Sequence, residues 1–105
     1  MNNEDLKITE NIRDGICRFF AKGRVDSNTA ESLLSKLEDA LNNGQKIIIL
    51  NMSQVDYLSS IGIRVILKIY KQVNETGGSF NVEHPSEIVR NVLGMVALKE
   101  MLVTN

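Results

Sequence analysis

Ser59 and Ser60 stand side by side at the head of an apolar-periodic run, and their hydroxyls are the groups best placed for chemistry. At the cap of a helix a serine accepts a hydrogen bond from a free backbone N–H. The serine after it, at the first helical position, points its oxygen outward. As plain caps the two need no further role. Gly62 follows within the first turn, where glycine is a poor helix former, so something approaches too closely for a Cβ there, either neighbouring backbone or a partner protein. Cys17 and His84 are the only residues of their kinds. Cys17 alternates with Phe19 and Ala21 against Arg18 and Lys22, which puts the thiol on the buried face of a strand and makes it inert. His84 precedes Pro85 in a loop and has no second metal-type ligand near it in sequence. One cysteine forms no internal disulfide, and no phosphate-binding loop, nucleophile elbow or zinc-binding helix pattern is present. The expectation is a chain with no catalytic residue, metal or cofactor.

Bulk properties narrow the classes further. The 105 residues fit one domain spanning 1–105, and 43% hydrophobic with 24% charged residues is ordinary for a folded chain. Twelve basic residues against thirteen acidic give a net charge of −1, which offers no long-range attraction for nucleic acid. The apolar runs fall far short of the ~20 residues that span a bilayer. The start, Met1 to Asp5, is polar and acidic rather than cationic then apolar, so a cytoplasmic protein with no membrane partner is expected.

The elements that must position the serines follow from periodicity. Leu6 to Thr9 alternates as a strand, Asp14-Gly15 turns, and Ile16 to Ala21 returns as a second strand of a hairpin. Gly23-Arg24-Val25-Asp26 leaves that strand. Ser27 and Asn28 offer caps, with Glu31 three residues after Asn28. Ala30, Leu33, Leu34, Leu37, Ala40 and Leu41 then mark an amphipathic helix ended by Asn42-Asn43-Gly44. Ile47 to Leu50 is apolar on both faces, as in a central strand that is covered on both sides or partnered on one. A short loop leads to a helix from Ile61 to about Thr76, begun by Ser59-Ser60 and stopped by Gly77-Gly78. Ser79 to Glu83 alternates as a strand. Pro85-Ser86-Glu87 opens a third helix bearing Ile88, Val89, Val92, Leu93 and Val96 on one face, and Met101 to Val103 suits a last short strand. The order β-β-α-β-α-β-α(-β) predicts an α/β domain with a mixed sheet and helices mainly on one side. Ile16, Phe20 and Ile48 would then share the far face with Arg18 and Lys22, a patch suited to a homodimer.

Around the serines the chain resembles the STAS domain of bacterial anti-sigma-factor antagonists. Tyr57-Leu58 take the place of the family's aromatic-aliphatic pair, Ser59 that of an aspartate, Ser60 that of the phosphoacceptor serine, and Gly62-Ile63 that of Gly-Leu. Gly23-Arg24-Val25-Asp26 matches the turn before the first helix. Asn51, Gly77-Gly78, Val92-Leu93-Gly94 and Leu98 extend the likeness over nearly the whole chain. Two positions depart from the pattern: Ser59 replaces the acidic residue, and Ile61 replaces a second Ser or Thr.

The resemblance implies a protein-binding switch. Unmodified, the chain would hold an anti-sigma factor that is itself a serine kinase, and so free a sigma factor. Phosphorylation at Ser60 would release it, and a serine phosphatase would reset the cycle. A phosphate at a helix N-terminus suits the free N–H groups there, whereas a partner packed over Ser60, Ile61 and Gly62 would meet bulk and charge. Asp26 and Asn28 lie close to the phosphoacceptor in matching chains and would shape the partner surface with Ser59 and Arg64; as turn and cap residues they need no function. Arg64 and Lys68, one turn apart, suit an acidic partner or an ordinary solvated face. The alternative is a STAS scaffold or accessory subunit of a signalling or transport complex that is never phosphorylated.

Overall fold

A computed structural model describes residues 5–95 and 103–104. Its strands are β1 (Leu6–Arg13), β2 (Ile16–Val25), β3 (Ile47–Leu58), β4 (Ser79–Glu83) and β5 (Val103–Thr104); its helices are α1 (Ala30–Asn42), α2 (Ser60–Glu75) and α3 (Glu87–Met95). The five strands form one sheet in the order β1-β2-β3-β4-β5. β1 runs antiparallel to β2, and every other neighbouring pair is parallel. The expected order of elements and mixed sheet are therefore observed. Val96, Leu98, Met101 and Leu102, assigned above to the last helix and strand, lie outside the described residues.

Alternation along the strands decides what is buried. Cys17, Phe19 and Ala21 on β2, Ile48, Leu50 and Met52 on β3, and Phe80 and Val82 on β4 all face inward. The helices cover them with Leu33 and Leu37 of α1, Ile66, Ile69 and Val73 of α2, and Val89 and Leu93 of α3. Each fully buried aliphatic or aromatic side chain contributes about 1.5–3 kcal/mol, so this layer is the main source of stability. The Cys17 thiol is sealed within it, and burial first, then the nearby Glu10 carboxylate, push its pKa up.

Three expectations change. Ile48 is fully buried on the helix side, aligned with Cys17, so it does not join the far-face patch. Its neighbours Ile47 and Ile49 occupy the far side instead, beside Ile16 and Arg18. Reading a four-residue apolar run gives no sign of which residue points inward, and one step in register reverses every face. Second, β3 does not stop at Leu50 but continues to Leu58, and β2 reaches Val25, so the supposed loop and the Gly23-to-Val25 exit are ladder. β1 likewise runs to Arg13. Third, α1 is not capped by Ser27 or Asn28. Its N-cap residue is Thr29, which makes no side-chain bond to the helix, and Asp26 instead braces the turn before it, its Oδ1 accepting the N–H groups of Asn28 at 2.9 Å and Thr29 at 3.2 Å.

A polar clamp crosses the open face. Arg18 Nε donates to Glu83 Oε2 at 2.9 Å, and Asn51 Nδ2 donates to the same oxygen at 3.0 Å, tying β2, β3 and β4 together. Partial burial raises the Glu83 pKa, but the bonds from Asn51 and Arg18 and the charges of Arg18 and His84 outweigh it and hold the carboxyl below its ordinary range. Gly23, at φ +120°, lets the start of β1 cross close above: a Cβ there would lie 2.1 Å from the Asp5 carbonyl oxygen.

Candidate functional site

The parallel strands β2 and β3 end in register, Arg24 opposite Tyr57 and Val25 opposite Leu58. In open α/β sheets the carboxyl ends of parallel strands are where the connecting loops gather and ligands or partners are met. Here the Ser59 N–H donates to the Val25 carbonyl at 2.9 Å. The turn from Asp26 to Thr29 and the mouth of α2 consequently emerge together.

Ser59 sits at the cap in extended backbone, and its Oγ accepts the Gly62 N–H at 3.1 Å. That fixes Ser60 as the first residue of α2, and its side chain is exposed. Ile61 beside it is 41% exposed and so adds apolar surface next to the hydroxyl. Gly62 is buried, and a Cβ on it would lie 2.6 Å from Leu58 Cδ1 and 2.7 Å from Val25 Cγ1. The close approach it answers is within the chain. Gly62 therefore seats α2 on the strand ends and offers no surface of its own to a partner.

Asp26 is half-buried, Asn28 exposed, and Arg64 exposed one turn beyond Ser60. The Asp26 N–H donates to Thr29 Oγ1, and that hydroxyl donates to the Arg24 carbonyl at 2.7 Å, so the turn is braced from both sides. Desolvation pushes the Asp26 carboxyl up, but hydrogen bonds from Asn28, Arg24 and Thr29 prevail and leave it below the usual carboxylate range. Lys68 leans toward Glu38 on α1 at 3.8 Å and is engaged there.

Two residues join the site that reading the sequence did not single out for it. The Arg24 guanidinium carbon lies 4.4 Å above the centre of the Tyr57 ring, and Arg24 Nε approaches Asp26 Oδ2 at 3.3 Å. Both side chains are substantially exposed. Their pairing is set by the ladder between two strand ends, and no local pattern around Arg24 shows it.

Among the described residues no group of three or more His, Cys, Asp or Glu side chains is placed to hold a metal ion. No helix there is long and apolar enough to cross a membrane. What the strand ends present is a hydroxyl at a helix mouth, an exposed isoleucine and an Arg–Tyr–Asp cluster, the materials of a protein-binding surface.

Residues 7–105 match the STAS domain family. The chain belongs to that family. It is 30% identical over 101 residues to the anti-sigma-B factor antagonist of Bacillus subtilis, covering 95% of this chain and 87% of that protein. It is 33% identical over 73 residues to BtrV of Bordetella bronchiseptica, named as a candidate anti-sigma factor antagonist; that match covers 70% of this chain and 63% of BtrV. SpoIIAA shares the fold, with a TM-score of 0.81 and 19% identity for its unphosphorylated form, over 94% of this chain and 89% of that one. The phosphorylated form of SpoIIAA superposes with a TM-score of 0.75 at 18% identity, over 94% of this chain and 92% of that one.

Proposed function

We propose that this chain is an anti-sigma-factor antagonist that docks an anti-sigma serine kinase through the ends of β2 and β3 and the mouth of α2. Holding that kinase frees a sigma factor. The observation that carries the reading is the exposed Ser60 hydroxyl at the first position of α2, flanked by exposed Ile61. The relatives named anti-sigma factor antagonists supply the class of partner. In this reading Asp26, Asn28, Ser59 and Arg64 frame the docking surface, and the protein acts in the cytoplasm.

The switch is a phosphoryl transfer performed by the partner. Ser60 Oγ attacks the γ-phosphorus of ATP, the bond to the ADP oxygen breaks, and the hydroxyl proton passes to a base of the kinase. The product carries about −1.5 to −2 charges at a helix N-terminus that tolerates them. The docked partner, by contrast, faces new bulk and a desolvated charge. Losing about 3 kcal/mol of binding lowers affinity roughly a hundredfold, enough to dissolve the complex with the fold intact. A serine phosphatase restores the hydroxyl.

Incubation with the cognate kinase and ATP should add one phosphate by mass, absent in Ser60→Ala. A kinase that binds the protein tightly yet leaves its mass unchanged would favour a second reading, an unmodified scaffold. Ser59 in place of the family's aspartate, and Ile61 in place of a hydroxyl, are the observations behind that alternative.

A further inference from the structure

Along β1 and β2 every charged side chain on the open face of the sheet is basic. Register and alternation place Lys7, Arg13, Arg18, Lys22 and Arg24 there, on the side away from the helices. Glu10, the single carboxylate of these two strands, stands opposite buried Phe19 and so faces the other way. The chain as a whole has a net charge of −1, so positive charge is segregated onto this face rather than present in excess. Lys7 lies directly opposite Lys22, and like charges paired across a ladder are destabilising. Neither lysine forms an ion pair among the described residues. A lysine on β1 guards an edge, but Lys22 is on β2, inside the sheet, where that reason does not hold. Beside the two lysines is a depression of about 280 Å³, lined also by Thr9, Phe20 and Gln54. Phe20 is 42% exposed, and Ile16, Ile47 and Ile49 continue the apolar floor toward β3.

We propose that this face is a second docking surface, for an acidic protein segment that carries an apolar side chain: a carboxylate seats between Lys7 and Lys22, and the apolar group covers Phe20. The surface works whether or not Ser60 is modified. A carboxylate there turns a repulsive lysine pair into an attractive cluster, so part of the binding energy is relief of a cost built into the free protein. Lysines act as mobile point charges and need no fixed geometry to hold it. Nucleic acid and anionic lipid answer the same charges less well. Single strands are held by stacking on aromatic rings, and this floor sets one Phe ring among isoleucines. Lipid headgroups are drawn by polybasic segments or amphipathic helices rather than by a sheet with a carboxylate, Glu83, in its midst. A second copy laid face to face would oppose two basic surfaces, with Glu83 already engaged by Arg18 and Asn51.

The test uses the full chain and a random-peptide display library. Peptides selected on the wild type should be rich in Glu or Asp interleaved with Phe or Leu, and Lys7→Glu should fail to select them. A selected peptide, made synthetically, should shift the amide resonances of Lys7, Thr9, Phe20 and Lys22 and leave those of Ser60 to Arg64 unmoved. Its affinity should fall about tenfold in Lys7→Glu and in Phe20→Ser. Lys7→Glu puts opposite charges across the ladder and should unfold about 2–4 °C above the wild type, so lost binding is not lost folding. Heparin and phosphatidylserine vesicles are the competing polyanion and lipid probes, and tighter binding of either would overturn the assigned partner. A dimer of the wild type that dissociates in Lys7→Glu would overturn it as well, in favour of a second copy. A library that yields no acidic peptides, or yields ones that bind Lys7→Glu equally well, would overturn the surface itself.

Discussion

The amide of Ser59 and the carbonyl of Val25 are joined across 2.9 Å, and this one bond places the turn after β2 against the start of α2. A residue before it, Arg24 meets Tyr57; a residue after it, Ser60 opens to solvent. The candidate site is thus a by-product of two parallel strands ending in register.

Ser59→Ala should destabilise the domain by about 1 kcal/mol, the usual loss when a helix cap is removed. Ser59→Asp should keep the midpoint of urea unfolding close to the wild type, because a carboxylate caps as well and suits the N-terminal dipole. A Ser59→Ala midpoint equal to that of the wild type would mean that the Gly62 bond contributes nothing.

Gly62→Ala tests the seating of α2. Alanine gains about 1 kcal/mol of helix propensity, but its Cβ would lie 2.6 Å from Leu58 and 2.7 Å from Val25, which is β-branched and stiff. Overpacking of this kind costs about 1–3 kcal/mol, so the net result should be a protein less stable by about 1 kcal/mol. Urea unfolding with an unchanged slope measures it.

Ser60→Glu should leave the free energy of unfolding unchanged or raise it by about 0.3–1 kcal/mol, since an anion there meets the positive end of α2. The same variant should bind the kinase that labels Ser60 roughly a hundredfold more weakly, read by calorimetry. Equal affinity for both forms would remove the switch and leave only the docking surface.

Acid should destabilise the protein through Asp26 and Glu83, whose carboxyls are both held below their ordinary range. The unfolded chain binds those protons first as pH falls, so stability rises with pH across this range. Their contribution is complete above about pH 4–5, the ordinary carboxylate range, and is lost as pH falls through the lowered values. Unfolding midpoints between pH 6 and pH 2 should fall less steeply in Glu83→Gln than in the wild type.

The helices were legible because their punctuation is local: Ser59 caps α2, Gly77 follows its end, and Leu33 with Leu37 mark the inner face of α1. The second half of β3 was not. Asn51, Ser53, Gln54 and Asp56 read as loop, and they form strand because β2 supplies a ladder and Ser86, capping α3, donates its hydroxyl to the Val55 carbonyl. The inward turn of Ile48 was hidden for the same reason, since register belongs to pairs of strands rather than to one. At the site, Ser60 and Ile61 could be placed from their distance to the helix start. Arg24 over Tyr57 could not, because 33 positions of chain separate residues that only the sheet makes neighbours.

β1 is the rim of the sheet, eight residues long, with Lys7, Glu10 and Arg13 exposed along it and Ile12 54% exposed among them. A rim of that length is a template on which further chains can stack their backbones, and charged side chains are the usual deterrent. Replacing those three with uncharged residues would strip the guard and leave Ile12 at the centre of a sticky ribbon. The expected fate of such a protein at high concentration is fibrillar growth, while its interior remains unaltered.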